Sequence, residues 1–578
     1  MSEPVRLVIW DLDETFWKGT LTEGGMEILP ENCAIVIELA KRGIVSSICS
    51  KNDFEPVQKI LQDCGIWDYF VMPSIDWQPK GPRVRDLIED LQLRQPSAIF
   101  IDDNPLNLQE AQRFAPEIQI SGTEIISRML KHPSFVGKDD GELTRLNQYK
   151  LLGLRKRAQA SASENIDEFL RDSNIRVEIN YDVLSNLERA LELIKRTNQL
   201  NFTKTSLPDN PDEARQALRR SLNEHHVHAG LIRVVDRYGD HGYCGIYVTQ
   251  RMQKDLLHFC FSCRILGMGI ETWIYRWLGR PNLNVRGEVR SDVHNDARSL
   301  DWIQFRDVTA DEEKQIKSPL SKFVRVGARG GCDLEAMIHY FQPHVQNIRG
   351  EYATARDWWQ VRRDHSMLLR YAIGGASESV LHVYSLLGYE PEDLQTTYGE
   401  KLDGPSLWLF SFIVEPTIGF YRHRESGILV PLQAPGLSPD KDARGLTVDD
   451  LDEQARNERS EKLLSILTDE FDFQGTISEG QFKENLTAIL DAAPPDTEVA
   501  LVLSSDKGFN PAGGNVYDFD RGRVLNKWMR EVAVRYPFVY FLDMPSMVDD
   551  ISEMEGQFHY PRIVYYRAFR EIERRYAV

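Results

Sequence analysis

Four short apolar runs, VRLVIW (5–10), IVSSIC (44–49), YFVM (69–72) and SAIFI (97–101), are spaced by helix-like stretches at 53–64 and 81–92. Strands of this length alternating with helices predict a doubly wound, mostly parallel α/β sheet over the first part of the chain. Such a sheet binds ligands outside the carboxyl ends of its strands. Polar residues sit just past three of these runs or in the turn that follows: Asp11, Asp13 and Thr15; Ser50; Lys80 in WQPKGP; and Asp102 with Asp103.

Two carboxylates one residue apart at a strand end can divide labour, one attacking an electrophile while the other gives and later takes a proton. Like charges this close call for a cation, so a divalent metal, Mg²⁺, is expected. Ser50 can donate to a phosphoryl oxygen, Lys80 supplies a compact positive charge, and Asp102 and Asp103 complete an oxygen shell.

The chain is 578 residues long, too long for one core. The pattern divides it into 1–150, a sheet domain with a helical connector; 151–319, a mixed α/β domain with an antiparallel core; and 320–578, where strand and helix alternate again around a polar insertion at 434–458. The third region is expected to form a second α/β sandwich of flavodoxin-like type.

The formal net charge of -19 argues against nucleic acid as a partner. It is uneven: residues 151–320 hold 25 Lys+Arg against 24 Asp+Glu, about +1, leaving about -20 for the rest. An acidic partner would therefore dock on the middle domain. The most apolar stretch, PSLWLFSFIVEPTIGFY, is broken by Glu415 and Pro416, so no membrane span is expected. No secretory signal is visible, and seven cysteines without zinc-type spacing read as reduced thiols of a cytoplasmic protein.

In the order DxDxT, Ser, Lys, DD, the first domain resembles the haloacid dehalogenase superfamily of aspartate-nucleophile phosphohydrolases. The resemblance implies Asp11 as nucleophile, Asp13 as general acid/base, Ser50 and Lys80 as phosphate ligands with Thr15 beside them, and Asp11, Asp13 and Asp102 around Mg²⁺. Asp103 ligates the metal or holds its shell. The strings DLDETFWKG, CSKND, WQPK and FIDDNP resemble one branch, the FkbH-like proteins.

In that branch an acetyltransferase-like domain follows, and LIKRTNQLNFT, DRYGDHGYCGI and FSCRILGMGIE are similar to it. The resemblance implies that a glyceryl unit from 1,3-bisphosphoglycerate is dephosphorylated, held as a thioester on Cys263 and passed to an acyl carrier protein acting in trans. From the residues alone, Cys263 reads as a core thiol as readily as a nucleophile. Activation would need positive charge beside it: Arg264 is adjacent, and His241 on a facing strand is a candidate base. Asn198, Gln199 and Asn201 can hold a hydroxyacyl chain or form a polar loop.

The third region is similar to SGNH hydrolases, but its GDS serine is missing. Aligning on Gly327 puts Arg329 at the nucleophile position, while aligning on Gly331 leaves Cys332 and Asp333 near it; Gly556 stands three before His559. A Cys332/His559 pair and a domain that only binds both remain open. Two other functions stay open for the whole chain: a plain phosphatase with accessory domains, and a scaffold that binds carrier proteins or glycans.

Overall fold

The computed structural model describes residues 3–21, 25–161, 166–197, 199–251, 254–295, 299–306, 318–438 and 440–577. Its first domain is built on β1 (Leu7–Trp10), β2 (Val45–Ser50), β3 (Ser74–Ile75), β4 (Ala98–Ile101) and β5 (Gln119–Ser121), in the order β3-β2-β1-β4-β5. All pairings are parallel. β1 is buried on both faces: Val8 and Trp10 enter one core, Leu7 and Ile9 the other. That is why it reads as an unbroken apolar run rather than an alternation. Helices α1 (Pro30–Lys41), α2 (Phe54–Asp63), α3 (Lys80–Asp90) and α4 (Pro105–Phe114) connect the strands.

YFVM (69–72) is not a strand. Its place in the sheet is taken by the two-residue edge strand β3, and Phe70 makes only an isolated bridge to Ser46. The edge strand β5 carries too short an apolar signal to be read from sequence.

A helical connector, α5 (Thr144–Ser161), leads to the middle domain. There β6 (Ile175–Asn180), α6 (Leu187–Arg196), α7 (Pro211–Asn223), β7 (Val227–Asp236), β8 (Gly239–Gln250), β9 (Asp255–Phe261), α8 (Ile270–Trp277) and β10 (Ile303–Phe305) form a sheet of order β9-β8-β7-β6-β10. It is antiparallel except for the β6–β10 edge.

The third region contains a second parallel sheet: β11 (Arg325–Gly330), β12 (Ile348–Tyr352), β13 (Ser406–Phe410), β14 (Thr497–Val502) and β15 (Val539–Leu542), ordered β12-β11-β13-β14-β15. The expected flavodoxin-like sandwich is therefore present, with α9 (Cys332–Ile338) after β11 and α10 (Arg562–Tyr576) closing the chain. A three-stranded antiparallel sheet, with Gly419–His423 in the middle, is inserted between β13 and β14.

The middle and third regions share one continuous core. Ile232, Tyr247 and Phe259 belong to the same cluster as Leu334, Tyr340, Val564 and Phe569. Buried Arg562 ties α10 to the middle domain through the carbonyls of Leu222 at 3.0 Å and Tyr181 at 2.8 Å. Among the described residues no helix is long and apolar enough to cross a membrane.

Candidate functional site

The order of the first sheet reverses between β1 and β4, and the residues that follow these two strands meet there. Lys80 Nζ lies 2.6 Å from Asp11 Oδ1 and 2.7 Å from Asp102 Oδ2, all three side chains being buried. Ser50 Oγ donates to the same Asp11 oxygen at 2.9 Å. Thr15 Oγ1 accepts from the Asp103 amide at 3.0 Å, pinning the Asp102–Asp103 loop to the first strand end.

Local structure explains these positions. Lys80 is the first residue of α3, behind Pro79, where chain direction is set by the fixed proline φ. The next residue, Gly81, packs so tightly on α4 that a Cβ would come within 2.6 Å of Phe114 and 2.8 Å of Glu110. Asn104 caps α4 by accepting from the Leu106 amide, and Pro105 occupies its first position. The helix therefore starts directly after Asp102–Asp103.

Burial raises the Asp11 carboxyl to about 6, with Lys80 pulling it down and Asp102 pushing it up. Burial works against charge on Lys80, but Asp11 and Asp102 outweigh it and hold the ammonium above its ordinary value. Burial and Asp102 also raise Asp103.

Asp11, Asp102 and Asp103 each offer a carboxylate oxygen, and these lie within 4.8 Å of one another. The side chain of Asp13 is not in this group, contrary to the sequence expectation. Its Oδ1 accepts from Trp17 Nε1 at 2.8 Å and the Leu21 amide at 3.1 Å, and its Oδ2 from Asn52 at 3.0 Å. Asn52 and Asn107 escaped the sequence reading. Asn52 also donates to Ser50 at 3.2 Å, and Asn107 donates to both oxygens of Asp102 at 2.9 and 3.1 Å. Asn52 lies two residues past Ser50 and Asn107 in the first turn of α4, so proximity to a strand end was the available signal.

Cys263 begins a 3₁₀ turn, Cys263–Ile265, just past β9, and is not in the strand. Its loop is held by the buried Arg155 of α5, which donates to the carbonyls of Arg264 and Leu266. Cys263 is among the residues lining a cleft of about 490 Å³ bounded by the first domain, the connector and the middle domain. Six cations line it, Arg6, Lys138, Arg145, Arg189, Arg196 and Arg264, against the acids Asp139, Asp140 and Glu192. Such a cleft suits an anion.

The expected activation of Cys263 is not found. Burial raises the thiol, and the counteracting pull comes from the Gln199 backbone amide and Arg290. His241 does not line the cleft: its ring is buried in the β7–β8 hairpin, 2.9 Å from Asp236. Of the amides, Gln199 reaches the thiol through its backbone. Asn201 spends its side chain on Ile194 O and the Lys204 amide, so it acts as a local cap. Asn198 lies outside the described residues.

The cleft and the carboxylate site occupy opposite edges of the first sheet. Arg6, Gly43 and Leu93 in the cleft precede β1, β2 and β4, whereas Asp11, Ser50 and Asp102 end or follow those strands. Arg6 and Asp11 are separated by the length of β1, about 16 Å at a strand's rise per residue.

At the switch point of the third sheet, between β11 and β13, Ser411 Oγ donates to Asp333 Oδ2 at 2.6 Å. Asp364 approaches beside it, paired with Arg362 at 2.5 Å. A Cβ on Gly331 would sit 3.3 Å from Asp333 and 3.7 Å from Asp364. Nearby, Glu415 accepts from the Ser366 hydroxyl at 2.5 Å and its amide at 3.0 Å, and burial pushes Glu415 up to about 8.

The Cys332/His559 pair is not formed: no hydrogen bond joins the two, burial pushes Cys332 up to about 11, and the His559 ring stacks on His225 instead. Arg329 is fully buried and paired with Glu351 at 2.6 Å.

No protein-family model matches the chain, and no curated protein does. Among solved structures it is similar to the N-terminal part of protein BF1531 from Bacteroides fragilis, which contains a phosphatase domain and is complexed with Mg. The identity is 20% over 24% of this chain and 42% of that one, with a TM-score of 0.21. It is also similar to the 3-deoxy-D-manno-octulosonate 8-phosphate phosphatase of Moraxella catarrhalis, complexed with magnesium, phosphate and KDO (18% identity, 22% of this chain, 86% of that, TM-score 0.18). A third is the cobalt-bound deoxy-D-mannose-octulosonate 8-phosphate phosphatase of Haemophilus influenzae (14% identity, 29% of this chain, 96% of that, TM-score 0.18). The match spans less than half of the first of these chains, and likeness at this level identifies neither activity nor substrate.

Proposed function

We propose that the first domain is a metal-dependent phosphohydrolase working through an aspartyl phosphate, and that it trims a phosphorylated three-carbon acyl unit destined for a thioester on Cys263. The observation that carries the first half is Lys80 held between Asp11 and Asp102, with Ser50 on the same Asp11 oxygen, at the switch point of a parallel sheet.

An Asp11 oxygen forms the bond to phosphorus as the ester P–O bond breaks. Asp13 gives the leaving alkoxide its proton, then takes one from the water that cleaves the aspartyl phosphate. Lys80 and Ser50 turn toward the phosphoryl oxygens as the charge on Asp11 is spent. Asp11, Asp102 and Asp103 form a hard, all-oxygen donor set that fits Mg²⁺, which when bound adds positive charge against the phosphoryl oxygens.

For 1,3-bisphosphoglycerate the chemistry divides the two phosphates. Attack at the phosphorus of an acyl phosphate would release a carboxylate, and the acyl group would lose its activation. A thioester therefore requires the Cys263 sulfur to attack the carbonyl carbon and expel inorganic phosphate, leaving the ester phosphate at the other end for Asp11. The cationic cleft around Cys263 supports binding of such an anion. Because the two sites lie at opposite edges of the sheet, the ester phosphate is removed at Asp11 before the acyl phosphate passes to Cys263, and an acyl carrier protein acting in trans then takes the glyceryl group from the thioester.

The test is mass spectrometry of the full chain after incubation with 1,3-bisphosphoglycerate and Mg²⁺. A glyceryl adduct on the Cys263 peptide is expected, absent in Cys263→Ala and heavier by one phosphate in Asp11→Asn. Phosphate release without any adduct would leave a plain phosphatase, a reading favoured by the burial that raises the Cys263 thiol. Neither release nor adduct would leave the scaffold.

A further inference from the structure

We propose that the seam between the middle and third regions carries a second metal site, for a divalent transition ion of zinc type, held by His225, Glu555 and His559. His225 lies in the turn between α7 and β7. Glu555 and His559 face each other across the tight turn before α10, paired as an isolated bridge with the Glu555 amide donating to the His559 carbonyl at 3.0 Å. Directly opposed residues of such a bridge project to the same side, here toward His225.

The ligand-capable atoms of the three residues all lie within 4.8 Å of one another. Bonds of about 2.0–2.2 Å place tetrahedral donors about 3.4 Å apart, a spacing inside the spread of these atoms. The two imidazoles are stacked, with centroids 4.2 Å apart and planes 9° from parallel, so one ring must turn out of the stack to aim its in-plane lone pair at an ion held by the other. His225 Nδ1 lies 3.0 Å from Glu555 Oε2, yet not in hydrogen-bonding alignment, so this buried nitrogen has no hydrogen-bond partner. A close N···O approach without a hydrogen bond is what two ligands of one ion show.

The neighbouring cation Arg251 is engaged elsewhere, donating to the Cys332 carbonyl at 2.6 Å and lying 3.7 Å from Glu335. His226 is turned to Glu224 at 3.1 Å.

The seam is held without the ion. Asn223 donates to Glu553 at 3.0 Å, and Arg562 reaches two carbonyls of the middle domain. The segments that carry the ligands are therefore fixed from both sides. Two imidazoles and one carboxylate are borderline donors that favour zinc-type ions over Mg²⁺ or Ca²⁺. Three protein ligands leave a coordination position open to water, the arrangement of a reactive rather than a purely structural zinc site.

Chelator-treated full-length protein titrated with Co²⁺ tests this. The intense visible d–d absorption of a four-coordinate ion is expected. The all-oxygen set at Asp11 would also take cobalt, but as a weakly absorbing six-coordinate ion. His225→Ala and Glu555→Gln are each expected to abolish the intense band, lower bound cobalt by one equivalent and remove the rise in melting temperature that Co²⁺ gives the native chain. Glu555 is 54% exposed, so its isosteric replacement leaves folding intact. Absence of the band in the native chain, or its survival in Glu555→Gln, overturns the proposal.

Discussion

Both parallel sheets deliver carboxylates to their switch points, and they keep them in different states. At the first sheet a buried lysine bridges Asp11 and Asp102. At the third, Asp364 has Arg362, but among the described residues no lysine or arginine pairs with Asp333 or Glu415. His365 lies 3.4 Å from Glu415, yet burial holds its pKa well below the ordinary value, so it brings no charge at neutral pH. Burial alone then decides, and Glu415 keeps its proton to about 8. The same topology thus gives a charged, lysine-bridged pair of carboxylates in one place and, at Glu415, a protonated, hydroxyl-bonded carboxyl in the other.

The difference breaks most sharply at Lys80. In Lys80→Met two like charges remain buried with no cation, and removing one partner of a buried ion pair costs about 3–5 kcal/mol. Phosphate release should fall by about 10²–10³-fold, the usual cost of deleting a preorganised electrostatic contact. Denaturant midpoints in chelator and steady-state phosphate release check both numbers, and added Mg²⁺ should recover part of the stability but not the rate. A variant as stable and active as the native chain would mean that Lys80 does not balance the cluster.

Glu415 gives the second test, and its sign is opposite to that of a paired carboxylate. The folded value is raised from 4.5 to about 8. Its stabilising contribution is therefore fully present below pH 4.5 and is lost as pH rises through about 8, because the unfolded chain ionises over that window while the folded chain holds the proton. The loss is on the order of a few kcal/mol. Glu415→Gln should flatten this fall, which denaturant midpoints at pH 5 and pH 8.5 measure. An unchanged pH slope would show that Glu415 is ionised in the fold.

The contrast also explains what was legible beforehand. Asp11, Ser50, Lys80 and Asp102 were readable because β1, β2 and β4 are buried on both faces, and the topology sends whatever follows them to one place. Asp364 and Glu415 reach their site from the β12–β13 connection and from just past β13, 51 positions apart in the chain, with no local motif. Cys263 could be found as a string, but its thiol is set by burial against the pull of the Gln199 backbone, and its loop by the Arg155 connector contact. His241 looked like a free base because its partner Asp236 lies across a hairpin turn. The shared core of the middle and third regions joins α10 to strands more than 300 residues earlier, a distance at which periodicity carries no signal.

The smallest effect is expected at Ser411, and it decides whether the third site rests on hydrogen bonds rather than charge. Asp333 is raised by burial, and the Ser411 hydroxyl at 2.6 Å pulls it back. Ser411→Ala removes that donor and raises Asp333 further. If Asp333 is protonated it no longer needs a donor for that oxygen, and the cost is only about 1 kcal/mol, the net worth of one neutral hydrogen bond. A loss of 3 kcal/mol or more would show instead an ionised Asp333 left without its partner, and the two sheets would then differ only in which group neutralises the charge. Denaturant midpoints of Ser411→Ala alone and combined with Asp333→Asn separate the cases: if Asp333 is protonated, the second substitution adds little to the first, whereas an ionised Asp333 makes the double variant more stable than Ser411→Ala.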